Sequence, residues 1–193
     1  MKDIILIGDS IRIGYQEVVR RELGAAAHVW APAENGGTSR NVLAHLDEWV
    51  ISRKPDLVHL NCGLHDVKKE LDAPQPAVPL DEYKANLTEI FQRIQEDTHA
   101  IFIWAATTPS NEQQHREQKG FDRFGDDILA YNREAAALAA ERGIRVNDLY
   151  QVVMRAGRDS LLSEDGVHFK PEGYEVLGKA VAEAIRAALG QAD

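Results

Sequence analysis

Short runs of branched apolar residues alternate along the chain with longer stretches whose apolar positions recur every three or four residues. That alternation is the pattern of a parallel sheet flanked by helices. The runs predict strands at Asp3–Gly8, His28–Ala31, Leu57–Cys62, Ile101–Ala105 and Ile144–Val146. Val42, Leu46, Trp49 and Val50 predict one helix that stops before Pro55, and Tyr83, Leu87, Ile90, Phe91 and Ile94 predict another. A third runs from about Asp126 to Arg142 and meets Gly143, a left-handed cap. The last begins at Pro171, a good first-turn residue, and carries Tyr174, Leu177, Val181, Ile185 and Leu189 on one stripe. No repeat, low-complexity tract or linker interrupts the pattern, so residues 1–193 read as a single α/β domain. Two stretches stand apart: Asp72–Pro79, with Pro74, Pro76 and Pro79, and Thr107–Phe124, a polar loop with several charges. Each follows a predicted strand, so each is expected to overhang the carboxyl edge of the sheet, where open α/β folds bind ligands.

Composition narrows the function. The 193 residues are 44% hydrophobic and 27% charged, as in ordinary globular proteins, and 22 Lys and Arg face 31 Asp and Glu for a formal charge of -9. A net anion with no basic cluster repels phosphate backbones and anionic lipid, so the expected partner is a small molecule, with no nucleic acid and no membrane. Cys62 is the single cysteine, which rules out an internal disulfide and multi-cysteine metal frameworks. The first apolar run, Ile4–Ile7, is too short for a secretory leader, and the chain reads as cytoplasmic.

Chemistry concentrates at the predicted strand ends. Gly8-Asp9-Ser10 lies where the first strand turns into a helix, a place that either caps the helix or exposes a hydroxyl at the sheet edge. Asp165-Gly166-Val167-His168 precedes the last helix. Alone it is a turn with a loop histidine; together with Ser10 it supplies a base and a carboxylate that fixes the base's tautomer. Asn35-Gly36-Gly37-Thr38-Ser39 follows the second strand, and its glycines can turn a backbone amide toward Ser10 or simply form a turn. Asn61-Cys62-Gly63-Leu64-His65-Asp66 follows the third and offers a side-chain donor, a ligand histidine, a capping aspartate or a plain turn. Cys62, His45, His59 and Trp104 read as structural residues.

These four segments, in this order, resemble the four blocks of the SGNH (GDSL-like) hydrolases, and the resemblance covers nearly the whole chain. It implies a three-layer, flavodoxin-like α/β/α fold on a five-stranded parallel sheet, with esterase or acetylesterase chemistry and no cofactor; the expected intracellular location and the polar Thr107–Phe124 loop lean toward a short-chain ester of a polar alcohol or carbohydrate. It further implies Ser10 as nucleophile, His168 as general base and acid, and Asp165 as its orienting carboxylate. The amides of Ser10 and Gly36 become oxyanion donors. From their positions alone, Arg12, in the first turn after Ser10, and Asn35, Gly37 and Asp66, in the neighbouring loops, are expected substrate contacts. One position departs from the pattern: His65 stands where the third block usually has asparagine. Imidazole has one N–H to donate when neutral, so the donor role is kept with a different reach, or His65 is a loop histidine bonded to a carbonyl. Gly8-Asp9 and Gly63-Leu64-His65-Asp66 also loosely echo the ligand blocks of metal-dependent phosphoesterases, without the Asp-x-His and Gly-His-x-His blocks that two metals require. A flavodoxin-like binding or receiver module is the non-enzymatic alternative.

Overall fold

A computed structural model describes residues 1–73 and 75–190. In chain order it contains β1 (Lys2–Ile7), α1 (Ser10–Leu23), β2 (Ala27–Trp30), α2 (Ser39–Ala44), α3 (Leu46–Trp49), β3 (Leu57–Leu60) and β4 (Lys69–Glu70). These are followed by α4 (Leu80–Asp97), β5 (Ile101–Ala105), α5 (Glu112–Gln118), β6 (Phe121–Asp122), α6 (Gly125–Glu141), β7 (Arg145–Asn147), α7 (Leu149–Ala156), α8 (Arg158–Leu161) and α9 (Pro171–Leu189). Five parallel strands form the main sheet in the order β2-β1-β3-β5-β7. All four residues of β3 and the Ile4–Ile7 run of β1 are buried, as expected of central strands covered on both faces. Helices α1, α7 and α9 pack together on one face, and α2, α4 and α6 on the other.

The order reverses between β1 and β3, since the chain leaves β1 toward β2 and returns past it to β3. In open α/β sheets the carboxyl ends at such a reversal diverge and leave a crevice. The β1–β3 register pairs Ile7 with Leu60, which places Gly8-Asp9-Ser10 beside Asn61–His65 at that crevice.

Four expectations need correction. The helix expected across Val42 to Val50 breaks at His45, which lies outside helical geometry, stacks on Trp49 at 4.6 Å and donates through its ring to the Asn41 carbonyl. A ring that caps its own turn ends α2 and lets α3 start at a new angle. Thr107–Phe124 is not a plain loop: it holds α5 and then β6, which pairs antiparallel with β4. The segment ending in α7 and α8 adds helices that no apolar stripe of useful length announced. Strand ends differ from expectation by one or two residues. The expected Asp72–Pro79 stretch remains irregular around Pro76, and Pro74 lies outside the described residues. No helix among the described residues is long and apolar enough to cross a membrane.

Candidate active site

Ser10 is the first residue of α1. Asp9 precedes it as cap, accepting from the Ile11 amide at 2.9 Å, so Ser10 is spared the capping duty and its hydroxyl is free to face outward. As a first-turn residue, Ser10 also has an amide without a partner inside the helix.

Asp165 and His168 arrive on the turn between α8 and α9. Asp165 Oδ1 accepts from the amides of Val167 (3.1 Å) and His168 (2.9 Å) and from the Ser163 hydroxyl (2.9 Å). Its Oδ2 is left for His168 Nδ1, at 2.6 Å. Nδ1 therefore carries the imidazole proton, and Nε2, 2.9 Å from Ser10 Oγ, accepts from the serine hydroxyl. Ser10, His168 and Asp165 are thus bonded in series. Burial pushes the Asp165 carboxyl up, but the hydrogen bonds from His168, Val167 and Ser163 outweigh it and hold the group well below the usual carboxylate range. Gly166 makes the turn possible: its φ is +70°, and a Cβ there would lie 2.6 Å from the Asn111 carbonyl oxygen.

The Thr107–Phe124 segment, expected to overhang the carboxyl edge, holds this turn. The Asn111 amide donates to the Gly166 carbonyl (2.8 Å), Lys119 Nζ stands 3.5 Å from Asp165 Oδ2, and His115 Nδ1 donates to the Asp165 carbonyl (3.2 Å). His115 Nε2 accepts from Arg123 Nη1 (3.4 Å), and Arg123 Nε donates to the Leu64 carbonyl (2.7 Å). One chain of hydrogen bonds therefore ties the turn of Asp165 to the loop of His65. Burial and the charge of Arg123 hold the His115 imidazole below its usual pKa, so it is neutral, as its accepting Nε2 requires. Lys119, His115 and Arg123 were not singled out from the sequence, because a polar stretch shows no motif and their partners lie far away along the chain.

The expected oxyanion donors divide. The Ser10 amide is available, whereas the Gly36 amide donates to the Gly8 carbonyl at 3.0 Å. A Cβ on Gly36 would lie 2.7 Å from that same oxygen, so glycine serves close approach, and the loop is stitched to the β1–α1 turn rather than offering that N–H. The Gly37 amide is likewise occupied, by the side chain of the exposed Asn35 at 2.8 Å. His65 is half-buried, and its imidazole has no hydrogen-bond partner among the described residues. Burial holds its pKa below the usual value; Asp9 pulls the other way, while Arg123, Lys68 and His168 reinforce burial. The β1–β3 register sets the loop that carries His65 beside Gly8-Asp9-Ser10 at the crevice.

Two expected substrate contacts are structural instead. Arg12 is 1% exposed, and its guanidinium donates to Gln16 (2.7 Å), to the Glu34 carbonyl (2.7 Å) and to the Gly8 carbonyl (3.4 Å). It braces the Asn35-Gly36 loop from behind. Asp66 is 0% exposed and accepts from the Ser39 amide (2.9 and 3.1 Å) and hydroxyl (2.5 Å). It joins the second and third loops and cannot meet a substrate. Burial raises its carboxyl to about 6 against the Ser39 bonds. A carboxyl that is easier to protonate in the folded than in the unfolded state stabilises at low pH, and that contribution is lost as pH climbs from about 4 through about 6. Asp66→Asn should therefore gain stability relative to the wild type between pH 5 and pH 7.5, a relative shift that thermal melts of the two proteins at both pH values would reveal.

Among the described residues no three His, Cys, Asp or Glu side chains converge so as to hold a metal ion. Cys62 is buried with its thiol pushed up in pKa, and His59 is buried, lowered to about 4 by burial, and bonded to Asn147 (3.2 Å). Both are structural, as expected.

Comparison with known proteins agrees with this architecture. Residues 6–176 match the GDSL-like Lipase/Acylhydrolase family. An acetylxylan esterase of Geobacillus stearothermophilus is 26% identical over 176 residues, 90% of this chain and 78% of the relative. A lipase/acylhydrolase from Enterococcus faecalis superposes with a TM-score of 0.82 at 25% identity, over 97% of this chain and 96% of the other. The structure of an acetylxylan esterase from G. stearothermophilus shares the fold, with a TM-score of 0.75 at 23% identity, over 99% of this chain and 95% of that one. With the crevice of the doubly wound sheet occupied by the four loops of that pattern, and the match spanning most of its length, the chain belongs to the GDSL-like lipase/acylhydrolase family of carboxylic ester hydrolases.

Proposed function

We propose that this protein is a serine esterase that hydrolyses short acyl esters, foremost acetyl esters, of a polar alcohol or carbohydrate. The observation that carries the reading is the series Ser10 Oγ, His168 Nε2, His168 Nδ1, Asp165 Oδ2, with contacts of 2.9 and 2.6 Å. Ser10 attacks the ester carbonyl as its proton passes to His168 Nε2. The imidazolium that forms is held by Asp165, and it then gives the proton to the departing alkoxide. Water, activated by the same imidazole, attacks the acyl-serine and releases the acid. The amide of Ser10 and the N–H of His65 receive the negative charge of the tetrahedral intermediate. The acetyl preference draws on the acetylxylan esterase among the relatives.

A fluorophosphonate probe tests the reading: it should label Ser10 in the wild type and leave the Ser10→Ala protein unlabelled. Equal labelling of both, or of neither, contradicts it. The donor role of His65 has its own test. His65→Ala should lower kcat for an acetyl ester on the order of 10²-fold, while His65→Asn, which restores an N–H, should recover most of the loss with KM little changed. An alanine variant with wild-type kcat removes His65 from the mechanism.

A further inference from the structure

Arg123 is 7% exposed, yet among the described residues it forms no ion pair with a carboxylate. Its two bonded nitrogens meet one carbonyl, that of Leu64, and one neutral imidazole, that of His115. A buried guanidinium is ordinarily matched by an anion, because desolvation of the charge is otherwise left uncompensated. Asp165 and Asp9 act on it only at longer range. Asp165 is committed to His168, Ser163, two amides and Lys119, while one Asp9 oxygen caps α1. They do not offset burial, which brings the guanidinium pKa down to about 10. A second cation crowds the same place: the ring of Phe121 carries Arg123 at 4.9 Å and Lys68 at 4.1 Å, and both cations act on His65. Lys68 has Glu70 as a partner at 2.6 Å. Arg123 Nη2, by contrast, donates to no described acceptor, yet it is not among the orphaned atoms sealed from solvent. Beside the loop of His65, Arg123 is thus a buried cation with a donor left over and no bonded carboxylate among the described residues.

We propose that Arg123 is the specificity residue of the substrate site and that the preferred substrate is an ester bearing a carboxylate, whose oxygens accept from the guanidinium. The inference rests on the hydrolase reading above and deepens it by naming the substrate class. A charge-assisted bond of this kind discriminates an anion from its neutral isostere by about tenfold or more.

The test uses two matched pairs of esters, one for each side of the scissile bond. Para-acetoxybenzoate is compared with para-acetoxybenzamide, and monomethyl succinate with methyl succinamate. The wild type should favour the anionic member of at least one pair by about tenfold or more in kcat/KM. Arg123→Met should bring that ratio near one, Arg123→Lys should keep most of it, and Lys68→Met should change it little. The ratio is unaffected by any loss of activity common to both esters, so a generally impaired Arg123 variant still reports. Ratios near one in the wild type for both pairs, or a wild-type ratio surviving in Arg123→Met, overturn the inference. Binding separates it from the esterase reading: Ser10→Ala should bind para-acetamidobenzoate more tightly than para-acetamidobenzamide, measured by NMR titration, whether or not the wild type turns over any ester. Equal binding within this pair, and within the pair succinamate and succinamide, overturns the inference. Failure of the wild type to hydrolyse any of the four esters, with Ser10 unlabelled by fluorophosphonate, overturns the esterase reading alone.

Discussion

Replacing Ser10 or His168 by alanine is expected to lower kcat for a small acetyl ester by a factor on the order of 10³ or more. Neither change should disturb the fold. The cap of α1 is the carboxylate of Asp9, so loss of the Ser10 hydroxyl leaves the helix start intact. The turn of His168 is held by backbone bonds, including Ser163 to the His168 carbonyl at 2.8 Å, that survive removal of the ring. Because the two side chains act on one proton, the double variant should be little worse than either single one, a non-additivity that steady-state rates of the three proteins would show. Two independent losses that multiply in the double variant would mean that the residues do not act as a unit.

Asp165→Asn should be nearly as damaging, with a loss on the order of 10³, although it changes one atom. The Oδ1 position receives three donors, from Val167, His168 and Ser163, so the amide oxygen of asparagine takes that place. Its NH₂ group then faces His168 Nδ1, which must become an acceptor. The ring proton moves to Nε2, where it points at Ser10 and blocks proton removal from the hydroxyl. The loss should fall on kcat, with KM little changed, and the ring should show the reversed tautomer by nitrogen NMR. A variant with normal kcat would show that Asp165 does not set the tautomer.

Much of this was legible in the order of residues, for physical reasons that differ by element. Strands β1, β3 and β5 are covered on both faces, so their apolar runs stand out. Helices α4 and α9 bury one stripe each, with Leu87, Ile90, Leu177 and Val181 fully enclosed. The residues bonded in series were legible because the proposed chemistry calls for a hydroxyl, an imidazole and a carboxylate at strand-end and loop positions. The polar interior was not. Arg12 and Asp66 look like surface or substrate-facing charges until the chain closes and supplies the Glu34 carbonyl and the Ser39 amide and hydroxyl. Helix α5 has His115 as its one buried residue and reads as a loop, so the path from Leu64 through Arg123 and His115 to Asp165 was invisible. Nor could a motif reveal that the Gly36 amide is taken by Gly8, since that depends on how closely two loops approach.

The central claim is that Ser10 Oγ becomes covalently acylated during turnover. Acid quench during hydrolysis of an activated acetyl ester, followed by peptide mass spectrometry, tests it directly. The account predicts one acetyl group on the peptide containing Ser10, and its accumulation should follow the initial burst of released alcohol. Steady turnover with no acyl group on Ser10, or with the group on another residue, would contradict it.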